Sequence, residues 1–231
     1  VFSISATGTV EPEELVDVGA QIAGQIISFG KDSSSKTIDY GSEVEAGTIL
    51  AQIDDSLYAA EVAQYNAQLL QANASLQRAQ ADLEQLKAKY NLAANDWARA
   101  KKLRPTNAIA QSSYETYQSA FETAKANISV GEAAILQAQA AIAHDEASLK
   151  RAKRNLGYCT IKSPVKGIVI DRRVNIGQTV VSSLNAPSLF LIAKDLRKMQ
   201  VWTAVNEADI GKIYPGQDVK FTVDAFPGEI F

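Results

Sequence analysis

The chain is poor in the residues from which reactive centres are usually built. Its 231 residues include one cysteine, Cys159, and one histidine, His144. A lone cysteine excludes an internal disulfide and any multi-cysteine metal site, and it leaves the redox compartment open. Cys159 reads as a small buried apolar residue. His144 lies between Ile142 and Asp145 on the outer face of a helical stripe, with no second ligand type clustered near it, so no metal or catalytic role is expected. Aromatic residues make up 7% of the chain although 46% of it is hydrophobic, a balance that fits small domains and an extended element better than one thick core. The net charge of -3 and the lack of a broad basic face argue against a nucleic-acid partner. No run approaches the ~20 apolar residues that span a bilayer. The opening "VFSISATGTVEPEELVDVG" is strand-like and carries no signal-peptide pattern.

What the chain does have is a long period of seven. Val62, Leu69, Leu76, Leu83, Tyr90 and Trp97 fall seven apart, accompanied by Tyr65, Ala72, Ala79, Leu86, Ala93 and Ala100. After an interruption the spacing resumes with Tyr114, Phe121, Ile128, Ile135, Ile142, Leu149 and Leu156, accompanied by Tyr117, Ala124, Gly131, Ala138, Asp145 and Ala152. A 3-4 stripe sustained this long predicts two coiled-coil helices, each on the order of 70 Å at 1.5 Å per residue. The interruption is punctuated. Pro105 removes a backbone donor and disfavours helix at Arg104, and Ser112 with Glu115 predicts a capping box at the start of the second helix. Asp54 and Asp55 adjoin the first helix start, where carboxylates cap and complement the dipole.

A loop from about Pro105 to Gln111 suits antiparallel neighbours. It predicts an intramolecular hairpin whose facing residue numbers sum to about 217 or 218. Leu69 then meets Leu149, Leu76 meets Ile142, Leu83 meets Ile135, Tyr90 meets Ile128, Leu86 meets Gly131 and Ala100 meets Tyr117. Gly131 costs about 1 kcal/mol of helix propensity, and the bulk of Leu86 opposite gives it a packing reason. Parallel association of helices from separate chains is the competing reading, and the short loop argues against it. Tyr90, Trp97, Tyr114, Tyr117 and Phe121 on this seam read as packing near the tip and not as a ligand box.

The flanks have β texture, with "GQIISF" and "TILAQID" before the helices and "NLGYCTIKSPVKGIVIDRRVNIGQTV" after them. They also resemble each other. "AGQIIS" (23–28) parallels "KGIVID" (166–171), and "VEAGTIL" (44–50) parallels "VNIGQTV" (174–180). Neither half has enough strand surface to close a core, so the two together predict one β-sandwich with the coiled coil inserted into it. Beyond Lys194, "KMQVWTAVNEADIGKIYPGQDVKFTVDAFPGEIF" predicts further strands around a short "EADIGKI" turn. That is too little for a domain of its own, so it is expected to recruit residues 1–14 and to continue past Phe231.

The half-motifs V-x-x-G-x-x-(L/V) around Gly47 and Gly177 resemble the halves of a lipoyl or biotinyl carrier domain, with Gly24, Gly47, Gly167 and Gly177 as its turns. The carrier lysine is missing. No M-K-M or D-K-A sequence occurs, and the hairpin position after "LAQID" is taken by the coiled coil. A split lipoyl domain, an inserted helical hairpin and a following β-barrel together resemble the periplasmic adaptor (membrane fusion protein) family, including its MacA and HlyD types. The likeness covers nearly the whole chain.

The fold this implies is mixed α and β, elongated and multidomain. A long antiparallel α-helical coiled-coil hairpin (55–156, tip near 104–111) is inserted into a split lipoyl-like β-sandwich (15–54 and 157–192). A partial β-barrel domain (1–14 and 193–231), truncated at its C-terminus, completes it. The resemblance implies a non-enzymatic, cofactor-free adaptor forming a homo-oligomer, usually a hexameric ring. The ring would lie in the periplasm, anchored to the inner membrane by a segment outside these residues. It would join an inner-membrane transporter, of ABC type on the MacA-like features, to a TolC-like outer-membrane channel. The family's tip motif (Arg, Leu four residues on, then a small residue, often Ser, seven beyond) maps onto Arg99, Leu103 and Ala110, where Ala110 departs from the usual Ser.

The residues alone also allow blander readings. Arg99, Lys101, Lys102 and Arg104 suit a solvated helix end, each worth roughly 0.3–1 kcal/mol against the macrodipole. A coiled-coil structural tether and a lipoyl or biotinyl carrier domain are the alternatives to an adaptor.

Overall fold

The computed structural model describes residues 4–106, 108–181, 188–226 and 228–231. The strands are β1 (Gly8–Pro12), β2 (Leu15–Gly19), β3 (Gly24–Phe29), β4 (Glu43–Val44) and β5 (Ile49–Ile53), followed after the helices by β6 (Thr160–Lys162), β7 (Gly167–Arg172), β8 (Thr179–Val180), β9 (Ser188–Ala193) and β10 (Met199–Thr203). Between β5 and β6 stand two helices of equal length, α1 (Ser56–Leu103) and α2 (Gln111–Tyr158), 48 residues each. Each is therefore about 72 Å long at ~1.5 Å per residue. A short α3 (Glu207–Ile210) follows β10. No helix among the described residues is long and apolar enough to cross a membrane. The expected fold class is present: a long helical hairpin inserted between the halves of a β structure.

Two four-stranded sheets form that structure, in the orders β2-β9-β7-β4 and β6-β5-β3-β8. Each sheet contains strands from before and after the helices, so neither half folds alone. The core between them is shared: Ile26, Leu50 and Ile53 from the first half and Val169, Val174, Phe190 and Ile192 from the second are all fully buried. Burial of each such side chain stabilises by about 1.5–3 kcal/mol.

The internal repeat has a structural counterpart. Gly47 and Gly177 both have positive φ, +88° and +85°, which favours glycine because a Cβ would crowd the backbone there. In each turn the following amide bonds back two residues before the glycine, Thr48 to Glu45 O (3.1 Å) and Gln178 to Asn175 O (3.1 Å). Each glycine N–H donates into the opposite half, Gly47 to Ser163 O and Gly177 to Ile26 O, both at 2.8 Å. Gly24 and Gly167, read from sequence as turn glycines, instead open strands β3 and β7. Their physical role is close approach, since a Cβ would strike Ile53 at Gly24 and the Ala193 carbonyl at Gly167.

Charged groups fasten the halves further. Arg172 Nε donates to Asp39 at 3.0 Å, and Nη1 donates to Val174 O and Asn175 Oδ1. The same guanidinium lies 4.9 Å from the centre of the Phe29 ring. Lys166 pairs with Glu45 at 2.7 Å. The N-terminal strand β1 pairs antiparallel with β10, from Gly8 opposite Thr203 to Pro12 opposite Met199. Of the further strands expected around "EADIGKI", β10 forms before it, and no strand follows α3 among the described residues. Phe221 and Phe231 exchange two backbone hydrogen bonds, but no longer ladder partner is present among the described residues.

Candidate functional site: the tip of the hairpin

The hairpin's seam begins at its base. Asp54 caps α1 by accepting from the Ser56 N–H at 3.0 Å, and this bond lowers its carboxyl pKa. Asp55, expected to share that role, occupies the cap position but makes no side-chain cap bond. Tyr58 donates its hydroxyl to Ala23 O at 2.8 Å, which ties the helix to the sandwich. Where α2 ends, Cys159 is 1% exposed and Ile53 N–H bonds to its carbonyl. Burial pushes the Cys159 thiol pKa up.

Along the seam, Ala72, Leu83, Trp97, Ala100, Gly131, Leu149 and Ala152 are buried, while Leu69, Leu76, Leu86, Tyr90, Ile128, Ile135 and Ile142 are half-buried. Two helices shield only one stripe of each other, so half-burial is the expected state for much of a two-helix seam.

The register differs from the sequence expectation. A Cβ on Gly131 would lie 2.9 Å from Leu83 Cδ1, 3.0 Å from Leu86 Cδ1 and 3.7 Å from Leu83 Cα. Leu86 thus meets Gly131, but so does Leu83, which the heptad reading set against Ile135. Tyr90, which the heptad reading set against Ile128, packs on Phe121 (5.5 Å between ring centres), and Trp97 packs on Tyr114 at 4.6 Å. α1 ends at Leu103 and α2 begins at Gln111. The touching pairs sum to between 211 (Tyr90 with Phe121, Trp97 with Tyr114) and 217 (Leu86 with Gly131), so aromatic meets aromatic towards the tip and leucines meet glycine at mid-hairpin.

At the tip, α1 gives way to a single 3-10 turn, Arg104–Thr106. The predicted capping box does not form. Gln111 is already helical, and Ala110 caps with extended backbone (φ -65°, ψ 146°) and no side-chain bond. Ser112 therefore lies inside the helix, and Glu115 accepts instead from Gln111 Nε2 at 2.6 Å.

The three motif residues cluster here. Leu103 is 45% exposed, Ala110 is exposed, and Arg99 is exposed with its guanidinium paired to Asp96 on the same helix. Sequence reading missed what surrounds them. Arg104 stacks over Tyr114 with its guanidinium 4.1 Å from the ring centre, and the Lys101 ammonium sits 4.9 Å from the Trp97 ring. The four-residue spacing of Trp97 and Lys101 was the available signal. Beside the tip, an open groove of about 770 Å³ is lined by small α2 side chains such as Ser112, Thr116 and Ser119, facing Leu86 and Ala93.

Away from the tip, His144 is exposed and its Nδ1 lies 3.0 Å from Asp145 Oδ1. Among the described residues no group of three or more His, Cys, Asp or Glu side chains is placed to hold a metal.

Known proteins share this arrangement. The chain is 36% identical to the pyoverdine export membrane fusion protein PvdR of Pseudomonas aeruginosa over 95% of its length and 51% of that protein. It is 31% identical to the macrolide export protein MacA of Escherichia coli O157:H7 over 96% of its length and 54% of that protein. The chain spans about half the length of the curated relatives it matches. Among solved structures, that of MacA from Actinobacillus actinomycetemcomitans superimposes with a TM-score of 0.60 at 33% identity, covering 98% of this chain and 63% of that one. The family model described as "RND MFP, barrel-sandwich hybrid domain" matches residues 14–192, both halves of the sandwich and the hairpin between them. The chain belongs to the membrane fusion protein family.

Proposed function

We propose that this chain is the adaptor subunit of a tripartite export assembly in the periplasm. It links an inner-membrane transporter of ABC type to a TolC-like outer-membrane channel, and its hairpin tip makes the channel contact through Arg99, Leu103 and Ala110. The observation that carries this reading is the hairpin itself. Two 48-residue helices project from a sandwich that is closed only by strands on both sides of them. A protein that needed only the sandwich would gain nothing from so long an insertion, whereas a rigid strut about 72 Å long suits a bridge between distant partners. The membrane fusion proteins PvdR and MacA, whose names tie them to pyoverdine and macrolide export, support export as the process. The ABC assignment rests on the MacA likeness.

In this reading the protein works mechanically and performs no catalysis. The functional units are residues 15–54 with 157–192, residues 55–156, and residues 1–14 with 193–231. Several copies, six in the expected ring, stand side by side around a conduit, and an anchor outside these residues holds the ring at the inner membrane. Deleting the gene and assaying co-purification of the transporter with the channel tests the reading. Loss of the complex, restored by the complete gene, is expected; an unchanged complex would contradict it.

A further inference from the structure

The tip carries a stack of four side chains drawn from three segments. Lys101 lies over Trp97, Trp97 packs on Tyr114 at 4.6 Å with the rings tilted by 53°, and Arg104 lies over Tyr114. Trp97 is 8% exposed, so the stack is rooted in the seam, while Lys101 and Arg104 are exposed at its ends. Both cations are within the ~6 Å reach of a ring face at which the quadrupole attracts them. Their side-chain freedom is therefore partly spent before any partner arrives, which lowers the entropic cost of binding. Arg99, by contrast, is turned to Asp96 on its own helix.

Charge at the tip is one-sided. Between Asp96 and Glu115 the chain has four cations (Arg99, Lys101, Lys102 and Arg104) and two carboxylates, Asp96 and Glu115, in a protein of net charge -3. The helix dipoles do not offset this. The negative end of α1 and the positive end of α2 meet at the same place and oppose each other. A guanidinium stacked by its face keeps its in-plane N–H donors directed outward, in the fork that suits a carboxylate.

We propose that Arg104 and Lys101, held on the Trp97–Tyr114 stack, are the recognition cations of the tip, and that the partner surface they engage bears carboxylates. Trp97 and Tyr114 act as positioning residues. This rests on the docking reading above and moves the charged contact from Arg99 to Arg104.

The test measures binding of the complete protein to the TolC-type channel purified from the same organism, at low and at raised salt. Helicity is followed by far-UV circular dichroism. Arg104→Glu is expected to weaken binding by more than about tenfold and to flatten the salt dependence, as loss of a steering charge does. Tyr114→Leu, which keeps apolar bulk but removes the ring face, is expected to weaken binding severalfold at unchanged helicity. Tyr114→Phe, which restores the face, should recover it. A purely structural role for Tyr114 would lower thermal stability without altering the salt dependence. Arg104→Glu binding as tightly as the unaltered protein, with the same salt slope, would overturn the inference while leaving tip docking intact. Failure of the unaltered protein to bind the channel would overturn the docking reading and this inference with it.

Discussion

Leu83 and Gly131 lie so close across the hairpin that a Cβ on the glycine would stand 2.9 Å from Leu83 Cδ1 and 3.7 Å from its Cα. The pair fixes the register of two long helices at their midpoint. It also explains why a residue that lowers helix propensity by about 1 kcal/mol occupies the interior of α2.

Replacing Gly131 with valine inserts two methyl groups and a branched Cβ into that contact. The expected cost is about 1–3 kcal/mol, the range for overpacking a fitted site. It is read as a lower melting temperature at 222 nm, with Leu83→Ala in the same chain recovering part of the loss. A Gly131→Val chain as stable as the original would mean that the helices do not pack in this register.

Leu103→Glu places a charge on an apolar side chain that is 45% exposed one turn from the end of the seam. Export is expected to fall to the level of a gene deletion while far-UV circular dichroism stays unchanged. Normal export in this variant removes Leu103 from the contact.

The junction between the two halves should weaken in acid. The hydrogen bond from Arg172, aided by the Tyr40 N–H, holds the Asp39 carboxyl below the usual carboxylate range. A carboxylate depressed in the folded state contributes stability above its unfolded pKa, about 3.9, and loses it as pH falls through the folded value. Urea midpoints of the native chain and of Asp39→Asn should therefore differ at pH 7 and converge below about pH 4. The difference is small, because Asp39 is exposed. Equal midpoints at both pH values would remove this link.

Cys159 provides a reporter of the hairpin's base. It is 1% exposed and burial raises its thiol pKa. Alkylation in the native protein should thus run on the order of 100-fold slower than in denaturant, since the thiolate is the reacting form. Rapid native alkylation would mean that α2 and the sandwich are not packed as described.

Much of this was legible in the sequence, for a physical reason. A seven-residue period over six heptads has no other stable outcome than long helices packed along one stripe, and Pro105 marks where they stop. The register was legible only in part: Leu86 meets Gly131 as the heptads imply, but heptad spacing does not tell which neighbouring turn of the other helix Leu83, Tyr90 and Trp97 reach. The capping box failed at Ser112 because Ala110, whose side chain has nothing to offer, takes the cap by backbone conformation alone. Strands β4 and β8 are two residues each, too short for alternation to reveal. The repeat of Gly47 and Gly177 was visible because positive φ selects glycine, whereas Gly24 and Gly167 are glycines for lack of space. The tip stack was hidden because Arg104 and Tyr114 meet only once the chain has turned.

The most direct test of the central claim is cross-linking from the tip in living cells. Ser112→Cys sets an exposed thiol beside the turn, and the buried Cys159 does not compete for the reagent. The adduct is expected to contain an outer-membrane channel protein, and to be lost when the same cysteine is moved to exposed Ala147 near the sandwich or when Leu103→Glu is added. Adducts only with other copies of this chain, or with inner-membrane proteins, would contradict docking by the tip.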